Sequence, residues 1–423
     1  MDTTIVQHRP ITAIKLQKGM VGARNNITQS GFSLVELLVG VIIGLLGTLV
    51  IFQVFAVNEG QKRTTTSGSD AEQSGAFSLY NLITNVRMGG NNLTNAFPAN
   101  TSGDPQKSQL AGCNIPAAPP ITQVALRAIP VMITDGGGGL SNTLTVLTGA
   151  SAVLSSAVAL NGPAAAGSSS INLQSAFGFN APVGATPGDV VLFVESLTNV
   201  SQNCTLRRIA TVPAAVAPAT VAAGAGAVTV TAAAPGLPVS YSKDAALYNL
   251  GPTIRAMAYS VYTDNLGHSR LIETDLTLGP AQAPFPAGIA ANSTIVADQV
   301  VNLRAQYGVD NDGSNDGVID AWVEPTGIWA PAALTSAQIP QIRAIRLGII
   351  VRSSQTEKPT PGVGCNTTPA MPSALSAAAT TPAKTASPAM DTTNMTNPSC
   401  YRYKTYETVI PIRNPIWSDS NLR

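Results

Sequence analysis

A long apolar run near the amino terminus constrains this chain more than any other feature. Residues 32–57 read FSLVELLVGVIIGLLGTLVIFQVFAV and carry a single charged residue, Glu36. The run has about 26 residues, whereas a helix needs roughly 20 to cross a bilayer, so we expect one transmembrane helix. The charged residues that precede it are Arg9, Lys15, Lys18, Arg24 and Asp2. By the positive-inside tendency, this basic leader predicts a cytoplasmic amino terminus and an extracytoplasmic remainder.

The apolar run differs from an ordinary secretory signal because its small residue, Gly31, comes before the run instead of after it. Cleavage at Gly31 would therefore leave the helix on the mature protein. A carboxylate at membrane depth is costly, so Glu36 is expected to have a partner. The free amine that cleavage creates on Phe32 of a neighbouring copy is one candidate. The alternative is an acid near the helix end that reaches water.

The stretch from Gly31 to Leu37, GFSLVEL, resembles the class III signal of type IV prepilins. The resemblance implies that a prepilin peptidase cuts after Gly31 and methylates Phe32. It also implies that Glu36 helps to dock subunits into a helical filament. The leader is long if translation starts at Met1 and short if it starts at Met20, and both starts remain open.

The predicted fold class is α+β, with a long amino-terminal helix followed by a large β-rich, pilin-like domain. The expected parts are a leader (1–31), a transmembrane helix (32–57), an amphipathic continuation (58–90) and a β-rich extracytoplasmic domain (91–423). Thr64, Thr65, Thr66 and Gly68, within the polar stretch 58–70, predict that the helix loosens there. The apolar period then resumes up to Met88 and predicts a stripe packed against a sheet.

Strand signals dominate after residue 90. The predicted strands are 143–147, 190–194, 206–211, a hairpin over 256–276 turning near 265–267, 345–351 and 403–412. Apolar residues alternate along 345–351, which predicts one buried face. Three low-complexity stretches, 149–170, 213–238 and 366–399, are predicted to be loops or poorly packed surface strands.

All four cysteines follow the apolar run, in a compartment where disulfides can form: Cys113, Cys204, Cys365 and Cys400. Two bridges are expected, and three pairings are possible. We favour Cys365 with Cys400, because the stretch between them has the composition of an unstructured loop and strands flank it. Zinc ligation is disfavoured, since no two cysteines are close in sequence and the only histidines are His8 and His268.

Later parts of the chain also resemble PilW-type minor pilins. They are the helix end Arg87-Met88-Gly89, the strand Gly188-Asp189-Val190-Val191, the run Gln306-Tyr307-Gly308-Val309-Asp310 and the end Arg413-Asn414. The resemblance implies a minor pilin at the pilus tip that primes filament assembly in twitching motility and adhesion. Its implied partners are the major pilin, other minor pilins and prepilin peptidase. Its implied location is a bacterial inner membrane before assembly and the pilus afterwards.

Two other functions remain open at this stage. One is a type II secretion minor pseudopilin of the J type, which shares the helix and the cleavage signal. The other is a tip subunit that binds a host surface or DNA through its loops. For the second, Arg343, Arg346 and Arg352 are either a basic strand face or, more commonly, solvated strand charges.

An aspartate-rich run, residues 310–320, has oxygen donors suited to a hard cation. Aligned with an EF-hand loop, it offers calcium the side chains of Asp312, Ser314, Asp316 and Asp320 and the carbonyl of Val318. The closing glutamate is missing, and the neighbouring Glu324 or Asp310 would have to substitute. The alternative is a polar turn between strands, because Asp, Asn and Gly dominate turns for backbone reasons.

Nothing in the sequence predicts an enzyme, a required cofactor or a small-molecule substrate. The chain contains no G-x-S-x-G elbow, P-loop or H-E-x-x-H motif. Its formal net charge is +1, which excludes a strongly basic nucleic-acid binder.

Overall fold

The computed structural model describes residues 32–93, 110–117, 125–151, 157–195, 204–212, 226–230, 236–264, 266–278, 292–314, 316–357, 359, 362, 364–393 and 395–412. The chain divides into two compact units, one ending at Gln61 and one beginning at Lys62. The expected leader, residues 1–31, lies outside the described residues.

Helix α1 spans Leu34–Met88, and it is the one α-helix in the ranges given above. The prediction that it loosens over residues 58–70 is wrong, because the helical assignment continues through them. Ser67 and Ala71 are 4% and 3% exposed within the second unit. Their burial compensates for the weak helix propensity of the residues around them, since packing commonly overrides propensity.

Antiparallel strands are the main regular elements of the second unit after α1, among the described residues. The first nine are β1 (Asn114–Ile115), β2 (Leu126–Arg127), β3 (Val131–Thr134), β4 (Thr143–Gly149), β5 (Val158–Ala159), β6 (Ser170–Leu173), β7 (Val190–Val194), β8 (Thr205–Thr211) and β9 (Gly226–Val230). The others are β10 (Ala246–Gly251), β11 (Ile254–Thr263), β12 (Ser269–Asp275), β13 (Ser293–Asp298), β14 (Val300–Val309), β15 (Ala321–Val323), β16 (Ile342–Arg352) and β17 (Tyr403–Pro411).

These strands form four sheets. The strand orders are β1-β2, β5-β10-β7-β8-β9-β6, β13-β12-β11-β4-β3 and β15-β14-β16-β17. The predicted hairpin is present as β11 paired with β12, with Thr263 opposite Ser269. The α+β fold class is therefore confirmed, with one long amino-terminal helix followed by a β-rich domain.

The main core lies where the second half of α1, the five-stranded sheet and the four-stranded sheet meet. Leu82 and Val86 of α1 are fully buried there, together with Leu144 of β4 and Leu347 of β16. Buried Tyr307 of β14 links the two sheets, because its hydroxyl accepts a hydrogen bond from the backbone N–H of Ile133 in β3 at 2.6 Å. This packing explains why the apolar stripe on α1 resumes after residue 70.

The prediction that strand 345–351 has only one buried face is wrong, because every residue of β16 is buried. One face, which includes Ile345 and Leu347, packs into the main core. The other face is covered by the segment 366–399, where Ile350 packs against Ala374. The cover approaches the strand so closely that a Cβ at Gly348 would lie 2.1 Å from the carbonyl oxygen of Ala374.

We call residues 366–399 the covering segment. In its described part it contains no named strand, but isolated bridges pair Ser373 with Ala389 and Ala378 with Lys384. The expectation of an unstructured loop is therefore wrong. A segment this poor in large side chains is ordered through backbone hydrogen bonds and through its contacts with β16.

The other low-complexity stretches contain short strands. The stretch 149–170 includes β5, and 213–238 includes β9 in its described part. β9 pairs with β6 and β8 at one side of the six-stranded sheet. Small, uncharged residues thus form strands within a sheet as well as loops.

Two disulfides join the four cysteines. They are Cys113–Cys204 and Cys365–Cys400, with Cα–Cα distances of 5.8 and 4.9 Å. The second bridge closes the connection between β16 and β17 near its base and encloses the covering segment. The structure thereby selects one of the three pairings that the sequence left open.

Candidate functional site

The first half of α1 presents a continuous apolar surface. Every residue from 32 to 57 is exposed within the chain. Exposure is 80% at Leu34 and 73% at Phe52. Soluble monomers rarely expose apolar patches of this extent, so the surface needs lipid or protein around it.

Helix α1 is long and apolar enough to cross a membrane, and it is the one such helix in the described part of the chain. This finding rests on the length and composition of the helix, and a signal sequence near the amino terminus can have the same length and composition. It fits association with a membrane.

The described residues of the predicted cleavage signal lie just before and within the first turn of α1. Gly31 is outside the described residues. Phe32 is 85% exposed and precedes the helix, and Glu36 lies in its first turn. A carboxylate in the first turn is favoured by the positive end of the helix dipole. The arrangement leaves both Phe32 and Glu36 accessible to another molecule.

A second candidate site is the aspartate loop, residues 310–320, which connects β14 to β15. Its two ends are fixed by backbone hydrogen bonds: Asp310 N donates to Gln341 O at 2.9 Å and Asp320 N donates to Val309 O at 2.8 Å. Because β14 and β15 are antiparallel neighbours, these bonds bring the first and last aspartates of the loop together.

Three carboxylates converge in this loop. Asp310, Asp312 and Asp320 each bring one carboxylate oxygen to within 4.8 Å of the others. Backbone N–H groups of Asn311 and Asp312 donate to Oδ2 of Asp320 at 2.8 and 3.1 Å. The backbone N–H of Ser314 donates to Asp312 and lowers the pKa of that exposed carboxyl. This hydrogen bond favours the ionised form of Asp312.

Asp310 differs from its two neighbours in being 1% exposed. Its Oδ2 accepts hydrogen bonds from Arg343 Nε and Nη2, at 3.1 and 2.9 Å, and from the backbone N–H of Gly317 at 2.8 Å. Its Oδ1 is buried and has no hydrogen-bond partner among the residues that the structure describes. One oxygen of this carboxylate is thus fully used, and the other is without a donor.

A β-bulge explains how Arg343 reaches Asp310. Gly308 pairs with Ala344 and Val309 pairs with Ile342, so Arg343 is the extra residue on β16. Bulges change the direction of the side chain that they displace. The sequence gives no signal for this bulge, and the ion pair was missed for that reason.

The loop differs in detail from the EF-hand alignment. Asp316 does not join the three clustered carboxylates, and its Oδ1 accepts the backbone N–H of Val318 at 2.9 Å. Glu324 does not close the loop either, because it accepts from Gln306 at 2.7 Å. Of the two substitutes considered for the missing glutamate, Asp310 is the one in the cluster.

The three arginines of β16 form neither a basic face nor a solvated one, so both sequence interpretations are wrong. Arg343, Arg346 and Arg352 are 3%, 0% and 3% exposed. Arg352 donates to Gln299 at 3.0 Å, and its guanidinium lies 4.3 Å from the ring centroid of Tyr401. Arginines in an otherwise apolar strand are better interpreted as signals of buried pairing.

Arg346 organises the covering segment. Its guanidinium donates to Glu407 Oε1 and to Gln306 Oε1, each at 2.8 Å. It also donates to the backbone carbonyls of Thr385, at 2.8 Å, and of Ser376. One buried cation thereby ties three strands to the segment that covers them.

The comparisons with known proteins concern the carboxy-terminal part of the chain. Residues 258–414 match the family model of PilW, the Type IV Pilus-assembly protein W. This PilW-matched region is less than half of the chain. Searches against curated proteins and against solved structures give no significant match.

The PilW-matched region begins within β11 and contains all later strands, the aspartate loop and the covering segment. The Cys365–Cys400 bridge lies inside it and Cys113–Cys204 lies outside. Helix α1 also lies outside, so the match and the apolar helix are independent observations. Both fit a relationship with type IV pilus-assembly proteins.

Proposed function

We propose that this protein is a minor pilin of a type IV pilus. The observation that carries the proposal is the exposed apolar half of α1, which joins a β-rich domain whose carboxy-terminal part matches PilW. A pilus-assembly subunit must reside in the membrane and later pack its helix against other subunits. A helix with no buried residue between 32 and 57 can satisfy both requirements in turn.

The proposed maturation uses three residues at the start of α1. Prepilin peptidase cleaves after Gly31 and methylates the new amine of Phe32. Glu36 then pairs with the amine of a neighbouring subunit as the helices stack. The physical reason is the cost of a lone carboxylate in an apolar surrounding, which an adjacent cation offsets.

The proposed site of action is the pilus tip, where the protein primes assembly together with other minor pilins and the major pilin. Before assembly it is held in the bacterial inner membrane by residues 32–57, with its second unit outside the cytoplasm. The role is structural and involves no catalysis. The exposed apolar helix surface docks through van der Waals packing against another subunit, because lipid is as apolar as the helix and gives no hydrophobic driving force for association within the membrane.

Glu36→Ala and Gly31→Leu test the proposal when each replaces the wild-type gene. Gly31→Leu should abolish the mobility shift caused by cleavage, and Glu36→Ala should leave cleavage intact but reduce incorporation into sheared pili. Glu59→Ala is the matched control, since it removes a carboxylate from the same helix outside the apolar run. Normal pili and normal incorporation in both test variants would refute the proposal.

A deletion strain separates the pilus from the secretion machine. Sheared surface pilin and secreted enzyme activity are measured in the same culture. We expect lost pili with intact secretion. Intact pili with lost secretion would transfer the chain to the J-type pseudopilins, and no loss of either would indicate an accessory tip adhesin.

A further inference from the structure

We propose that the aspartate loop binds Ca²⁺ through Asp310, Asp312 and Asp320. The inference does not depend on the pilus role, because it rests on the geometry of this loop alone. Its first basis is the convergence of three carboxylate oxygens within 4.8 Å of one another. Its second basis is the buried Oδ1 of Asp310, which has no donor in the described part of the chain.

The unpartnered oxygen is the stronger of the two observations. A buried acceptor without a donor is destabilising, and natural proteins pair the great majority of such groups. Arg343 and Gly317 contact Oδ2 of Asp310 and leave Oδ1 without a donor. A cation in contact with Oδ1 would satisfy it without displacing either of them.

The charge of the cluster matches a divalent ion. Asp310, Asp312 and Asp320 contribute three negative charges, and Arg343 offsets one of them through its 2.9 Å ion pair with Asp310. Glu324 also lies near the loop in sequence but pairs with Arg304 at 3.7 Å. Two uncompensated negative charges therefore remain on the three clustered carboxylates, and Asp316 adds a further one to the loop.

The donor set favours Ca²⁺ over other metals. The cluster contains carboxylates and neither histidine nor cysteine, which disfavours zinc and copper. Ca²⁺ accepts six to eight oxygens in irregular arrangements, whereas Mg²⁺ requires near-octahedral geometry and retains its waters. Backbone carbonyls and water can complete the Ca²⁺ shell in a loop that is open to solvent at Asp312.

The bound ion would fix the connection between two strands. Asp310 directly follows β14, and Asp320 directly precedes β15. Through Arg343 the same ion would act on β16, so Ca²⁺ would hold the edge of the four-stranded sheet in place. Since the ion binds the folded loop, it should raise the unfolding temperature of the protein.

Terbium luminescence on the full-length protein in detergent micelles tests the proposal. Tb³⁺ replaces Ca²⁺ in oxygen sites, and Trp322 is two residues from Asp320 and can sensitise it. We expect Tb³⁺ emission on excitation of tryptophan and its displacement by Ca²⁺, with a dissociation constant of about 10⁻⁴–10⁻³ M. Millimolar Mg²⁺ should not displace it.

Asp312→Asn is the test variant, because Asp312 is exposed and its loss leaves the Asp310–Arg343 pair intact. Asp391→Asn is its matched control. The exposed Asp391 accepts the N–H of Thr393 at 2.8 Å, as Asp312 accepts that of Ser314 at 2.7 Å.

We expect Asp312→Asn to weaken Ca²⁺ binding by about tenfold or more and to abolish the Ca²⁺-induced rise in unfolding temperature. Asp391→Asn should behave as wild type in both measurements. Absent tryptophan-sensitised emission in the wild type, or equal Ca²⁺ affinity in wild type and Asp312→Asn, would overturn the proposal.

Discussion

Replacing Arg346 with methionine removes a guanidinium that is fully buried between β16 and the covering segment. Methionine keeps most of the aliphatic length of arginine but donates no hydrogen bond. Four acceptors lose their donor: Glu407 Oε1, Gln306 Oε1, Thr385 O and Ser376 O. The variant therefore measures how strongly one cation holds the covering segment on the sheet.

The expected loss follows from the burial of the pair. Removal of one partner from a buried ion pair costs about 3–5 kcal/mol, because the other charge remains without compensation. Glu407 is 22% exposed at its side chain and retains donors from Ser376, which places the expectation near 3 kcal/mol, the lower end of that range. The segment should also become sensitive to proteases, since its backbone carbonyls at 376 and 385 lose their donor.

The matched control is Arg402→Met. Arg402 also pairs with a glutamate, at 2.7 Å from Glu357, but its side chain is 54% exposed. Exposed pairs contribute about 0–1 kcal/mol. The difference between the two variants should therefore be about 2 kcal/mol or more.

Urea unfolding of the full-length protein in detergent, followed by tryptophan fluorescence, compares the variants. Limited proteolysis reports on the covering segment separately. A loss below about 1 kcal/mol for Arg346→Met, or a loss no greater than that of Arg402→Met, would refute the reasoning. In the double variant Arg346→Met/Glu407→Gln the loss should be smaller than in Arg346→Met alone, since the unpaired charge is removed as well.

Two further predictions concern the core and the acid stability. Leu82→Ala should lower the free energy of unfolding in urea by about 2–5 kcal/mol, because Leu82 is fully buried. Phe77→Ala on the same helix is the control, and it should lower that free energy by no more than about 0.5 kcal/mol because Phe77 is 54% exposed. Burial alone would raise the pKa of Glu407, but hydrogen bonds from Arg346 and Ser376 outweigh it and hold the pKa below its usual 4.5. The stability that Glu407 contributes is therefore present above pH 4.5 and is lost as pH falls through the lower pKa of Glu407 in the folded protein. The stability difference between wild type and Glu407→Gln, measured by thermal melts, should shrink over that pH interval. A difference that does not change with pH would contradict this assignment.

The strands were the most predictable part of the fold. Residues 190–194 are β7 with the predicted bounds, and the hairpin over 256–276 is β11 with β12. These segments have apolar, β-branched sequences with turn residues between them, and such local signals suffice where neighbouring strands pair. The prediction over 58–70 failed because the burial of Ser67 and Ala71 depends on the rest of the second unit.

In the aspartate loop too, some features were predictable from the sequence and others depended on the tertiary structure. Its composition and its place between strands were evident from the sequence, and so were the candidate ligands. Which carboxylates converge depends on the pairing of β14 with β15 and on the bulge at Arg343. The EF-hand alignment selected Asp316 as a ligand. In the structure Asp310, which pairs with Arg343, joins Asp312 and Asp320 in the cluster, and Asp316 does not.

The amino acid sequence alone determined the apolar helix, its single carboxylate and the β-rich character of the remainder, because these follow from hydropathy and local periodicity. Only the tertiary structure decided which polar groups are buried. The arginines of β16 look like surface charges in the sequence, yet the covering segment encloses Arg346 and supplies two of its acceptors. An arginine in an apolar strand indicates that a buried partner is needed, but the partners come from segments far apart in the chain and the sequence of the strand does not name them.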